Sequence, residues 1–198
     1  MRRLGLPRYQ YGLRELSTGG TFYAYANENN TTYAAIFAMY VGEHLKRYGI
    51  EVKGLKWQTD NGIEFVNPSA PETKTAFEKM LDEIKIKHKR IPPRCSWLQG
   101  DIETFNRIIE DEFYDIEDYA NGVDFLGKAY AYQLFFNYMR KNRGRKRKAP
   151  VDILKERFPN IDPNVLNLPP IRLELLLDFY CQGGYHVPGS ARCCQEIY

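Results

Sequence analysis

The apolar positions change period along the first part of the chain, and each change marks an element. Tyr9 to Leu16 alternates apolar and polar residues, Ser17 to Gly20 supplies turn chemistry, and Thr21 to Ala26 is β-branched and aromatic, which together predict a β-hairpin. The spacing then lengthens. Ala35, Phe37, Ala38, Val41 and Leu45 fall on one side of a helix that Thr31 or Thr32 can cap, that runs to about Tyr48 and that Gly49 ends. Val52 to Gln58 reads as a strand, and strand, helix and strand in succession predict parallel pairing through a right-handed crossover. Pro71-Glu72 opens a second expected helix to about Ile84, with Phe77, Met80, Leu81 and Ile84 inward, and Ile84 to Ile91 reads as the last strand.

Pro92-Pro93 breaks that strand, and a loop to about Trp97 follows. Beyond it Leu98, Ile102, Phe105, Ile109 and Phe113 recur at helical steps and trace one apolar stripe. Asp124 to Asn142 predicts another helix, rich in aromatics that fit a packed core better than a base-stacking platform. Val151 to Phe158 predicts a short helix. Pro159, Pro163, Pro169, Pro170 and Pro188 argue against a second domain in the tail, although Leu173 to Tyr180 can pack as an amphipathic turn or two.

Candidate chemistry sits where a strand stops. Asp60-Asn61-Gly62 follows the apolar stretch Val52 to Trp57, and a carboxylate held at a strand end stays fixed while loops around it admit a substrate and hydrated cations. Asn-Gly lets the chain reverse directly after the acid, and the same dipeptide between apolar runs is also a strong hairpin signal, so both readings stand at this point. On the apolar-striped helix Glu103, Arg107 and Glu110 share one flank, either facing a cleft or forming a solvated Glu103–Arg107 ion pair. No aspartate precedes Asp60, although glutamates stand at 15, 28, 43 and 51.

Composition narrows the classes. With 198 residues, 43% of them hydrophobic, the chain can bury one good core and a smaller appendage. No run approaches the ~20 apolar residues of a membrane-spanning helix, and Met1-Arg2-Arg3 leads into no signal core, so a cytoplasmic location without membrane contact is expected. Cys95, Cys181, Cys193 and Cys194 show neither metal-site spacing nor a disulfide framework and read as reduced thiols. Net charge is only +3, but it is clustered: seven of the nine residues from Arg140 to Lys148 are basic, and Ile84 to Arg94 holds Lys85, Lys87, His88, Lys89, Arg90 and Arg94. Two basic runs flanking a candidate acidic site fit phosphate neutralisation.

These residues carry a resemblance. Trp57 to Phe65, Ser96 to Gln99 and Gly100-Asp101-Ile102-Glu103-Thr104-Phe105-Asn106-Arg107 resemble the catalytic core of the retroviral-type integrases and insertion-sequence transposases, the DDE cores of RNase H-like fold. The likeness runs from about Leu6 to about Leu154 and includes Tyr138 to Pro150. It implies an α/β fold, an RNase H-like mixed sheet flanked by helices, in a core over residues 1–150 with an irregular C-terminal extension over 151–198. It further implies Asp60 and Glu103 as catalytic carboxylates and metal ligands, 43 positions apart in sequence. The family's first aspartate lies on an opening strand that this chain is expected to lack, and Glu15 is a poor substitute at the far end of a different strand.

The activity implied is DNA integration or transposition by metal-dependent phosphodiester hydrolysis and strand transfer, using two Mg²⁺ or Mn²⁺ ions. Loss of the first aspartate implies a compromised two-ion site and a truncated or inactive copy from a prokaryotic mobile element. The DNA partners would be mobile-element ends and target, met by Lys87, Lys89, Arg90, Arg94, Arg107, Arg143, Arg145, Lys146, Arg147 and Lys148, and an intact family member would work as a homo-oligomer. The alternatives are a non-catalytic DNA-binding remnant and another RNase H-like nuclease acting on RNA–DNA hybrids.

Overall fold

A computed structural model of the chain describes residues 5–92 and 94–183. Pro93, Pro188, Cys193 and Cys194 therefore lie outside the described residues. The expected hairpin forms from β1 (Tyr9–Arg14) and β2 (Thr21–Ala26), paired antiparallel with Tyr9 opposite Ala26 and Arg14 opposite Thr21. Glu15 makes the turn: its carboxylate accepts from the backbone N–H groups of Ser17 and Thr18 and from the Thr18 hydroxyl.

Helix α1 (Thr31–Arg47) is capped one residue earlier than the threonines suggest, because Asn30 Oδ1 accepts from the Tyr33 N–H and is the N-cap. Strand β3 (Lys56–Thr59) and strand β4 (Lys87–Arg90) pair in parallel. Both are shorter than the apolar runs that announce them. The helix between them, α2 (Ala76–Glu83), begins five residues beyond Pro71, since Thr75 and Glu78 form a reciprocal capping box. The crossover through α2 thus joins β3 to β4, whereas the expected pairing of β3 with the hairpin strand before α1 is absent among the described residues.

The described strands form two two-stranded sheets, β1-β2 and β3-β4, where the sequence predicts one mixed sheet. No described segment lies between them to carry a continuous ladder. Helices occupy both sides. Every residue of β2 is buried, and its alternate side chains serve opposite cores: Phe22, Ala24 and Ala26 join a cluster with α1, α2 and Trp57, while Tyr23 and Tyr25 pack with aromatics of the helices that follow. Those are α3 (Gly100–Ile109), which continues through a π-helical turn at Glu110–Tyr114, and α4 (Gly122–Tyr138). The aromatic reading of α4 as a core helix holds for Phe125, Tyr132 and Phe136, which are buried in this second cluster.

The tail is integral to the first cluster. Helix α5 (Pro150–Arg157) and helix α6 (Leu173–Gln182) place Val151, Leu154, Leu173, Leu177 and Tyr180 in it. Just ahead of α6, Ile171 C=O accepts from Tyr25 N–H and covers part of the outer edge of β2. Buried Asn137 on α4 fastens the same region: its Oδ1 accepts from Thr21 N–H, and its Nδ2 donates to the carbonyls of Thr21 and Leu166, each at 2.9 Å. Cys95 is a free thiol, but Cys181 is disulfide-bonded, which corrects the reading of four reduced cysteines. No described helix is long and apolar enough to cross a membrane.

Candidate functional site

Asp60 is the residue immediately after β3. Its Oδ1 accepts from the Gly62 N–H at 2.9 Å, Asn61 Nδ2 donates to the Ile91 carbonyl at 2.9 Å, and the chain turns through Gly62 to Val66 rather than into an antiparallel partner. The hairpin alternative is thereby excluded, because the next strand is the parallel β4. Thr59 supports the strand end from within: its hydroxyl donates to the Asp60 carbonyl, so His88 Nε2, 2.8 Å away, must be the donor to Thr59 Oγ1. The carboxyl group of Asp60 itself is exposed.

Glu103 stands in the first turn of α3 and is also exposed. The alternative of a Glu103–Arg107 ion pair does not form. What fixes the start of α3 is its neighbour Asp101. Asp101 Oδ2 lies 3.1 Å from Arg14 Nε and accepts from Arg145 Nη2 at 2.8 Å. The Arg14 side chain is almost wholly buried, with its guanidinium between the rings of Phe105 and Phe136, 5.8 and 5.5 Å from their centroids. Burial lowers its pKa, and Asp101 works against that shift. Strand β1, helix α3 and the basic loop around Arg145 are therefore locked together beside Glu103.

Asp60 and Glu103 line the same cleft, of about 470 Å³, which opens between β1 and β3 with α1 and the start of α3 as its other walls. Three further carboxylates line it. Asp101 is committed to two arginines and Glu15 to the hairpin turn, which disfavours Glu15 as a third ligand. Glu64, four residues beyond Asp60, is the one that sequence reasoning misses; only its place after the Asn-Gly turn, which folds it back, signals it. Carboxylates suit Mg²⁺ or Mn²⁺. Among the described residues, however, no three His, Cys, Asp or Glu side chains gather closely enough to hold a metal ion, so this donor set does not fit a two-ion site.

The basic residues divide into free and engaged groups. Lys87 and Lys89 are exposed on β4, while Arg90 pairs with Glu78. Arg94 is exposed at a left-handed φ of 66°, and Arg107 is exposed one turn beyond Glu103. The run after α4 is a closed loop rather than a loose tail: Asn142 N–H donates to Lys148 C=O, Arg147 N–H donates to Asn142 C=O, and Lys146 and Arg147 take left-handed φ values of 56° and 57°. This turns Arg143, Lys146 and Arg147 outward. Lys148 pairs with Glu156, and Arg145 Nη1 donates to the Leu16 and Ser17 carbonyls.

No protein-family model matches the chain. It is similar to the protein named "Putative integrase ORF3" of Spiroplasma virus SpV1-C74, at 29% identity over 112 residues, which cover 54% of this chain and 30% of that protein. The match thus spans less than a third of the viral protein's length.

Proposed function

We propose that this chain serves DNA integration or transposition as a transposase- or integrase-type catalytic domain of RNase H-like design, and that residues 5–183 alone form an incomplete version of it. The observation that carries this reading is the meeting of Asp60, from the end of β3, and Glu103, from the first turn of α3, at one cleft. Similarity to a viral protein named as an integrase supports the same class. The exposed cations Lys87, Lys89, Arg94, Arg107, Arg143, Lys146 and Arg147 suit a DNA backbone. Phosphodiester hydrolysis and strand transfer in this class use Mg²⁺ or Mn²⁺, and the described carboxylates fall short of the set that two ions need.

The expectation is therefore specific. The 198-residue chain does not nick duplex DNA with either metal, whereas a version extended upstream by a strand bearing an aspartate does, and Asp60→Asn abolishes that gained activity. A gel assay on supercoiled plasmid reads all three. Robust cleavage by the unextended chain, removed by Asp60→Asn, would show that another group completes the site. A second reading, a non-catalytic DNA-binding remnant, is favoured by the lack of a third ligand among the described residues. It predicts that duplex binding is indifferent both to chelator and to Asp60→Asn, and that upstream extension restores nothing.

A further inference from the structure

Helix α4 is apolar on every side, the pattern of a helix covered all round, yet one of its sides faces outward. The exposed residues from Gly122 to Met139 are Val123, Gly127, Ala131, Phe135 and Met139, four apart throughout. Residues four apart form one of the ridges by which helices pack. No charge interrupts the row: Asp124 and Lys128, along one edge, pair with each other at 3.4 Å. Along the other edge the half-buried Leu126, Tyr130 and Leu134 widen it. None of the row lines the cleft. The other long helix, α1, offers no comparable face, since α2 and α6 lie against it and nothing on it before Lys46 is exposed.

The row is complementary to itself when reversed. With two copies of α4 antiparallel across a two-fold axis at Ala131, Phe135 of each copy lies over Gly127 of the other, and Val123 lies beside Met139. A large side chain then meets a gap: a Cβ at Gly127 would touch nothing within 4 Å, which leaves open space for a ring. Parallel copies would instead set Phe135 against Phe135 and leave Gly127 facing Gly127. Charge selects the same direction. Asp111, Asp115 and Asp118 are exposed ahead of α4 and Lys141 is exposed just after it, so antiparallel copies bring an acidic end to a basic end and oppose the helix dipoles.

We infer that the outer face of α4 is the contact between two copies of this chain, packed antiparallel about Ala131 in a symmetric dimer. A membrane surface would call for cations along the row, which carries none. One pair of 17-residue helices, each about 25 Å long, buries less than the roughly 800 Å² per partner of a standard interface, so the dimer dissociates in the micromolar range. The inference does not rest on the proposed catalytic function, since self-association is measured without DNA or metal.

Sedimentation velocity of the full 198-residue chain should show a concentration-dependent equilibrium of monomer and dimer. Gly127→Leu fills the space that Phe135 of the other copy would take while meeting nothing in its own chain, and leucine is the better helix former. It should weaken the dimer at least tenfold, although it makes the face more apolar. Ala131→Arg, which sets two cations together at the axis, should abolish association and decides the matter if the first variant does not fold. Val123→Asp and Met139→Lys should each weaken the dimer, and the double variant should associate more tightly than either, because only antiparallel copies pair the new charges. Leu175→Lys, on the exposed side of α6, should leave association unchanged. A monomer at every concentration, a Gly127→Leu dimer as tight as that of the unaltered chain, a double variant weaker than both single ones, or loss of the dimer in Leu175→Lys would each overturn the inference.

Discussion

The residue that most controls the geometry of the candidate site is Asp101, which touches no proposed ligand. Its carboxylate partners a buried guanidinium, Arg14, and a half-buried one, Arg145, and so holds the first turn of α3 against the hairpin. A buried ion pair is asymmetric to mutation: removing one partner strands the other charge, whereas removing the charge itself and keeping the shape costs little. Asp101→Ala is therefore expected to destabilise by about 2–3 kcal/mol, below the usual loss for a fully buried pair because Asp101 is about one-third exposed. Arg14→Leu, which removes the buried cation and keeps apolar contact with Phe105 and Phe136, should cost less. Urea denaturation of the two variants checks the order, and an Arg14→Leu variant less stable than Asp101→Ala would assign the stabilisation to the stacking on the rings. Sequence does not supply this link, because Arg14, Asp101 and Arg145 meet only through tertiary packing. Tyr11 and Arg14, the buried residues of β1, stand three apart and break the alternation that would flag them.

Among the elements, those whose ends carry local chemistry are legible in the sequence and those whose ends depend on neighbours are not. The hairpin is legible because Ser17 to Gly20 fixes the turn and β2 is uniformly apolar or aromatic apart from its opening threonine. The apolar run from Val52 overstates β3: only Lys56–Thr59 pairs, because β4 offers just four partners. At the start of α2 two local signals compete. Pro71 points to an early beginning, but the capping box Thr75-x-x-Glu78 decides the matter four residues later. That outcome has a measurable consequence. Thr75→Ala removes the hydroxyl that accepts from Glu78 N–H and donates to Phe65 C=O, and should cost about 1 kcal/mol. Pro71→Ala should be within ~0.5 kcal/mol of neutral, as an exposed residue outside the helix. Thermal or urea unfolding of the pair would return the opposite ranking if the helix truly began at residue 71. The strand order lies beyond sequence, since the chain offers two strand–helix–strand successions, through α1 and through α2, and only the second is realised as a pairing among the described residues.

For the molecule as a whole, the question is whether its affinity for DNA comes from net charge or from placement. A net charge of +3 is too small to drive phosphate binding over the whole surface, so any strong binding must come from local clusters. Arg143, Lys146 and Arg147 are the sharpest cluster, turned outward by a closed hydrogen-bonded loop, whereas Arg145 and Lys148 within the same run are spent on Asp101, the hairpin carbonyls and Glu156. A triple substitution of Arg143, Lys146 and Arg147 to alanine should therefore flatten the plot of log affinity for duplex DNA against log salt by about 2–3, roughly 0.9 for each phosphate that is no longer neutralised. The control is a second triple variant with Lys46, Lys53 and Lys79 changed to alanine, which are exposed on α1, just beyond it and on α2 and give the same net charge. Its slope should stay close to that of the unaltered chain. Equal flattening in both variants would mean that total charge alone attracts DNA, and would remove the loop after α4 from the proposed nucleic-acid face while leaving the carboxylates of the cleft untouched.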